Sequence, residues 1–430
     1  MMWELGKILD AIGRLGAFAV EGGEGRARCI LLLNQYYPPD LAPTGQYLHD
    51  LARILVARGH HVDVICSQRS YDGGEHYPDQ EDLDGVRVVR LPALGFGRLS
   101  FAGKLADYQS FIGLLASRLV CLARPDLVVS LTTPPFLGVL AKLAASYHCC
   151  PHAHWVMDLY PDVMAAQGFV TGALYSRLRC LTRWELSKAS VVISLGSFMA
   201  ARVAKYLDNG YNGEWVHLWS APELSPWTTT ESNLLRARRG WSTEEFVLMY
   251  SGNMGLGHRL GEFMEAARLS GPSGPLWAFV GGGKKRREVE AFKRDHSSAR
   301  IEILPYAPRE LLRASLCSAD VHLASLDSQW QGLMVPSKIQ ALFAVGRPVI
   351  FVGGLENEAA RWVLESGGGW VVGEGDVSGV LKAVEAARDP AERLRRACAA
   401  HEFAQAHFTM TANCGRLAEI LERSLAQQPK

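Results

Sequence analysis

Residues 331–350 read QGLMVPSKIQALFAVGRPVI. Proline fits the first turn of a helix, so Pro336 opens one here, and Gly346 stops it before Arg347-Pro348 and a short buried strand. A loop therefore feeds a helix, which leads into a strand. Lys338 falls in the first helical turn, where the helix macrodipole disfavours a cation, and an anion at the helix N-terminus beside it resolves the conflict. A phosphate suits both features. The alternative is a solvated surface lysine, since helix propensity tolerates Lys at most positions.

Outward from this stretch the same alternation repeats. The second half has apolar segments at FVLMYS (246–251), LWAFVG (276–281), RIEILP (300–305), DVHLAS (320–325), RPVIFV (347–352) and GWVVG (369–373), each separated by a helix-length segment or a loop. The first half has ARCILLLN (27–34), VDVIC (62–66), VRVVRL (86–91), DLVVSL (126–131), HAHWVM (152–157) and SVVISL (190–195). Runs like these suit parallel strands buried on both faces. After the loop QYYPPDLAPTG, Thr44 is the expected N-cap of a helix whose apolar face is Leu48, Leu51, Ala52 and Leu55 and which ends near Gly59. The fold class is therefore α/β, with two Rossmann-like doubly wound domains facing a cleft at the carboxyl ends of their strands. The expected boundaries are an N-terminal extension over 1–25, a first domain over 26–205 and a linker over 206–245 rich in turn formers and charge. A second domain follows over 246–390, then C-terminal helices over 391–430 with a break near Phe408 and Thr409.

A net charge of +1 with 21% charged residues gives no basic footprint for nucleic acid. The nine cysteines include no CxxC pair, and no signal-peptide pattern precedes them. Reduced thiols and a cytoplasmic location are expected. No apolar run reaches the length of a spanning helix. The segment 99–122, with Lys104 and Arg118 inside it and Arg98 and Arg124 at its flanks, has a composition that fits either a membrane-facing amphipathic helix or a buried domain helix.

Several residues could carry chemistry. Strand FVLMYS runs into Gly252-Asn253-Met254-Gly255-Leu256-Gly257-His258-Arg259, where glycines let backbone N–H groups approach an anion or simply make a tight turn. The next junction, Val280-Gly281-Gly282-Gly283, opens on to Lys284, Lys285, Arg286 and Arg287, a cluster that suits a diphosphate, an anionic lipid or plain solvation. Asp158 follows HAHWVM and begins DLYPDV, at the strand end where catalytic groups sit, or caps a turn before Pro161. His148, Cys149, Cys150, His152 and His154 have ligand chemistry, but no second cluster with zinc spacing accompanies them, so no metal is expected. The Ser elbow GxSxG, HExxH, the Walker spacing and the dinucleotide GxGxxG are all missing.

Four of these stretches, YYPPDLAPTG with the helix into RGHHVDV, DLYPDV, MYSGNMG and VPSKIQALFAVGRPVI, resemble in order and spacing the retaining glycosyltransferases of family 4, which have the GT-B fold. The likeness is to the bacterial capsule, O-antigen and colanic-acid type. It implies a hexosyl or N-acetylhexosaminyl transferase (EC 2.4) that moves a sugar from a nucleoside-diphosphate sugar, with UDP the expected nucleotide, to a glycan or lipid-linked acceptor. It also implies a protein in the cytoplasm or peripheral on the inner membrane surface, with no metal or other cofactor. The resemblance places Gly252, Asn253, Lys284, Ser337 and Lys338 near the diphosphate, Thr44 and Gly45 on the acceptor side, and Asp158 under the reacting carbon. The chain departs from the family at three positions. The family's frequent histidine before the aspartate is Met157, and its two glutamates eight positions apart fall on Leu333 and Ala341. Gln340, Glu356 and Glu358 are the candidates to replace those acids, and the backbone N–H groups of Gly332, Leu333 and Met334 are the expected sugar contacts. The alternatives are a sugar-nucleotide 2-epimerase and a non-catalytic sugar-nucleotide-binding subunit.

Overall fold

The computed structural model describes residues 27–71, 74–96, 101–207, 213–221, 224–225 and 229–426. The extension expected over 1–25 and the flanking Arg98 lie outside the described residues. Packing divides the chain into two units. One comprises the described residues up to Leu195, Arg202–Val216 and the chain from Cys414 onward; the other comprises Gly196–Ala201 and His217–Asn413.

The N-terminal unit is built on β1 (Cys29–Leu33), β2 (His61–Ser67), β3 (Gln80–Leu83), β4 (Val86–Leu91), β5 (Leu127–Ser130), β6 (His152–Trp155), β7 (Val191–Ser194) and β8 (Glu214–Trp215). Their order is β3-β4-β2-β1-β5-β6-β7-β8, and only the β3–β4 pair is antiparallel. That pair is a hairpin closed by Asp84-Gly85, both at positive φ, which is the turn that Asp-Gly favours. Sequence periodicity missed β3 because QEDL has no apolar alternation, but a charged strand suits an exposed sheet edge. The chain winds from β1 outward through β2, returns to β5 and winds the other way. The gap between β1 and β5 is thus the topological switch point where such sheets bind ligands. Phe111, Leu115 and Leu119 of helix Phe101–Val120 and Leu137 and Ala141 of helix Leu137–Tyr147 pack on Leu31, Leu33, Ile65 and Val128.

The C-terminal unit carries β9 (Val247–Ser251), β10 (Leu276–Val280), β11 (Ile301–Leu304), β12 (Val321–Leu326), β13 (Val349–Gly353) and β14 (Gly369–Val372), in the order β11-β10-β9-β12-β13-β14, all parallel. Its switch point lies between β9 and β12. Leu248 and Tyr250 of β9 pack into one core with Phe263, Trp277 is buried beside them, and Val247 and Met249 face a second core with Trp241. Burial on both faces explains why these strands read as unbroken apolar runs.

Three expectations change. Thr44 does not cap its helix: Pro43 is the first residue of helix Pro43–Ala57 and Ala42 holds the cap position without a side-chain bond, because Pro43 fixes the helix start two residues earlier. The span 206–245 is more than a linker, since β8 extends the first sheet and helix Thr229–Arg238 belongs to the second unit. The final helices Pro390–His407 and Met410–Ala426 do break at Phe408-Thr409, but they divide between the units rather than forming one segment.

Candidate active site

In the C-terminal unit the two loops flanking the switch point meet at one side chain. The helix containing Lys338 is short, Lys338–Ala344, with Ser337 in the cap position making no side-chain bond and Pro336 just before it. Lys338 is its first residue, and Gly346 closes it at φ 63°. The Lys338 stem is partly exposed but its ammonium is sealed, lying 3.6 Å from the centroid of the buried Tyr250 ring at the end of β9. No hydrogen-bond partner meets that nitrogen. Burial lowers its pKa from 10.5 to about 7, although the ring face offsets some of the cost of a desolvated cation. A solvated surface lysine is therefore excluded.

The glycines around this ammonium are required by their positive φ, and Gly281 by close approach as well. Gly252 has φ 125°, and a Cβ there would sit 3.6 Å from Lys338 Nζ. Gly281 has φ 129°, and a Cβ would lie within van der Waals radii of the Gly252 carbonyl oxygen. Tyr250 Oη donates to the Asn253 carbonyl at 2.9 Å, and the Met254 amide donates to the Gly282 carbonyl at 2.6 Å, tying the two glycine loops together. Asn253 itself is exposed.

The four cations after Gly283 divide. Lys285 Nζ donates to the His258 carbonyl at 2.6 Å, and Arg286 donates to the Gly281 carbonyl at 2.6 Å and pairs with Glu290. These two brace the loops, and Lys284 and Arg287 are exposed. His258 is held neutral, its pKa pushed down to about 3 by burial and by the positive field of Lys338, and it donates through Nδ1 to the Ser325 carbonyl at 2.7 Å.

Of the three amides expected to meet a sugar, that of Leu333 is already donated to the Trp330 carbonyl at 3.0 Å, because Ser328–Trp330 forms a 3-10 turn just upstream. Gly332, at φ 69°, and Met334 flank it. Gln340 is fully buried with both amide atoms unpartnered, but two residues along a helix it cannot share a face with Lys338. Glu358 is also buried, and its Oε1 accepts the Phe198 amide at 2.7 Å at the start of helix Ser197–Ala204. That commitment counts against Glu358 as a replacement for the family's acids.

In the N-terminal unit, Gly45 packs so closely on the backbone after β1 that a Cβ would lie 2.8 Å from the Tyr36 carbonyl oxygen, and Thr44 Oγ1 accepts Asn34 Nδ2 at 3.3 Å. Asp158 follows β6, half-buried, with its amide bonded to Thr132 Oγ1 at 3.1 Å. It lines a cavity of about 20 Å³ with Thr132, His154, Tyr160, Thr182 and Glu185, room for about one water. Beneath it runs a buried chain: Ser130 Oγ lies 2.8 Å from both His152 Nε2 and His154 Nδ1, and His154 Nε2 lies 3.1 Å from Glu185 Oε1. Burial lowers His154 to about 3 and raises Glu185 to about 8, so the pair holds one proton near neutrality. Among the described residues no group of three potential ligands could hold a metal ion; the strand histidines are engaged with Ser130 and Glu185.

Sequence reasoning did not find Tyr250, Tyr306 or Glu185. The exposed ring of Tyr306 lies against Gly281 and Gly282, where added Cβ atoms would meet it at 3.1 and 3.2 Å. Glu185 shares the buried face of helix Gly172–Ser187 with Thr182 and Leu186, a spacing that could have flagged it.

Residues 44–209 match the model of the glycosyl transferase 4-like domain. Over the whole chain, the solved structures with similar folds include a sucrose-phosphate synthase from Thermosynechococcus elongatus, at TM-score 0.71 and 18% identity, covering 93% of this chain and 99% of that one. The chain has the GT-B fold and carries a glycosyl transferase 4-like domain. WcaI of Escherichia coli K12, named as a colanic acid biosynthesis glycosyl transferase, is 24% identical over 334 residues, 74% of this chain and 81% of WcaI. WbjE of Pseudomonas aeruginosa, named as a glycosyltransferase, is 23% identical over 79% of this chain and 84% of its own. HepE of Anabaena, solved in complex with UDP-glucose, has TM-score 0.68 at 14% identity over 92% of this chain and all of HepE.

Proposed function

We propose that this glycosyltransferase transfers a hexose or N-acetylhexosamine from a UDP-sugar, with retention and without a metal ion, to a glycan or lipid-linked acceptor of a cell-surface polysaccharide. The observation that carries this reading is the sealed, unpartnered ammonium of Lys338 beside Gly252, at the switch point of a parallel sheet. An isolated buried cation is costly, and a diphosphate would remove that cost while its own leaving-group charge is stabilised. In this reading Gly252, Asn253, Ser337 and Lys338 take the diphosphate, Lys284 screens it from solvent, and the exposed Tyr306 ring offers the base a stacking face. The amides of Gly332 and Met334 meet the donor sugar. Asp158 and the loop around Thr44 and Gly45 serve the acceptor. The relationship to WcaI supports the polysaccharide context, and the HepE complex supports UDP as the nucleotide.

A second reading, a donor-binding subunit that needs a partner to transfer, is favoured by Leu333 and Ala341, which cannot accept hydrogen bonds where family members carry glutamates; Leu333 is moreover buried. Calorimetric titration with UDP, GDP and dTDP in the presence of EDTA, on the native chain and on Lys338→Ala, tests the donor site. UDP should bind, and the variant should lose at least about tenfold, or 1.4 kcal/mol. Equal affinity in the variant, or no binding of any nucleotide, would sink the assignment. Product analysis with UDP-sugars then separates transfer from binding alone.

A further inference from the structure

In the helix Phe101–Val120, whose composition fits either a membrane-facing or a buried helix, Arg118 turns inward and is only 4% exposed. A different helix carries an exposed cationic and apolar surface. On the sixteen-residue helix Gly172–Ser187, Leu174, Arg177, Leu181 and Trp184, followed by Lys188 at its end, are spaced three, four, three and four residues apart and so form one stripe. All five are exposed; Leu174 is 53% and Trp184 40% accessible, unusual for large apolar side chains next to one another. The helix has a single carboxylate, Glu185, and it faces the core, paired with His154. Neither Arg177 nor Lys188 pairs with an acid among the described residues. The exposed stripe is therefore purely cationic and apolar, with an indole among its apolar members.

We propose that this stripe docks the glycosyltransferase on an anionic bilayer surface. Leu174, Leu181 and Trp184 would enter the headgroup boundary, where indole rings favour the interface. Arg177 and Lys188 would pair with lipid phosphates, an attraction that falls within a Debye length. Charge selects a bilayer over a second copy of this chain: two such stripes facing each other would bring like charges together with no carboxylate to pair them. No described helix is long and apolar enough to cross the bilayer, so the contact is peripheral.

The test is co-sedimentation of the full chain with vesicles of phosphatidylglycerol and phosphatidylcholine, and with pure phosphatidylcholine. Binding to the anionic vesicles, loss on about 0.5 M salt, and a loss of about tenfold or more in Leu181→Glu/Trp184→Glu support the proposal. Leu105→Glu, on the exposed side of the other helix, should leave binding unchanged, and the double variant should keep its affinity for UDP, which separates this result from the nucleotide reading. Failure to bind anionic vesicles, or equal binding by the double variant, overturns the proposal. So does a concentration-dependent dimer that the double variant dissociates while vesicles are ignored, since the stripe would then be a self-association surface.

Discussion

Each unit buries ionisable side chains near the carboxyl ends of its sheet, and the two treat them differently. In the N-terminal unit Glu185, His154, Ser130 and His152 satisfy one another along one chain of contacts, with only His152 Nδ1 left over. In the C-terminal unit the Lys338 ammonium has an aromatic face and no hydrogen bond. A buried polar group with partners belongs to the packing of the molecule. One without partners carries a cost that folding does not recover, and a ligand that recovers it explains why the group is there.

The largest effect expected from this contrast is on the paired side. Glu185→Ala leaves a neutral His154 nitrogen without its partner and opens a void in a sealed space, and should cost about 3 kcal/mol of unfolding free energy in urea titrations. A loss under about 0.5 kcal/mol would mean that the chain is not structural. The pair also gives a pH signature. Glu185 has its folded pKa raised from 4.5 to about 8, so its contribution is fully present below pH 4.5 and is lost as pH rises toward 8. His154 runs the other way, with its contribution present above 6.5 and lost as pH falls toward 3. Between 4.5 and 6.5 the folded and unfolded pair each hold one proton, and the two slopes cancel. The stability advantage of the native chain over Glu185→Gln should therefore shrink as pH rises from 4.5 to 8, by at most about 1.4 kcal/mol per unit.

The unpaired side predicts the opposite sign. Lys338→Met removes a desolvated cation and should stabilise the unliganded protein by about 1–3 kcal/mol, while nucleotide binding weakens. Because the folded pKa is lowered from 10.5 to about 7, that gain is full below pH 7 and shrinks as pH rises toward 10.5. The same shift makes nucleotide binding take up a proton. At about pH 8, UDP should draw in close to one proton, seen as a buffer-dependent calorimetric enthalpy that disappears in Lys338→Met. Destabilisation by the methionine, or binding without proton uptake, would break the comparison.

The smallest effect concerns the ring beside the glycine loops. Tyr306→Ala should weaken UDP by about 1 kcal/mol with little change in stability, because its ring is mostly solvent-exposed in the absence of ligand. An unchanged Kd would remove Tyr306 from the site.

The sequence made much of this visible. Two sheets of parallel strands followed from apolar runs, since a strand covered on both faces has no polar side to interrupt the pattern. Lys338, Gly252 and Asp158 were legible because each stands directly after a recognisable strand or at a helix start. The cap expected at Thr44 lies two positions earlier, at Ala42, because the proline between them opens the helix. The roles of Lys285 and Glu358 were not legible at all, since each is decided by a carbonyl or amide many residues away.

By itself the sequence determined the alternation of strands and helices, the chemical kinds of residue at the strand ends and the resemblance to family 4, all of which are properties of neighbouring residues. Tertiary structure decided which charges are spent and which remain. It turned Glu185 inward on to His154, cleared an acid-free stripe on the outside of the same helix, and sealed Lys338 over Tyr250 without a partner. The physical reason is that the cost or value of a charge depends on solvent access and on partners distant in sequence, and neither is fixed until the chain has packed.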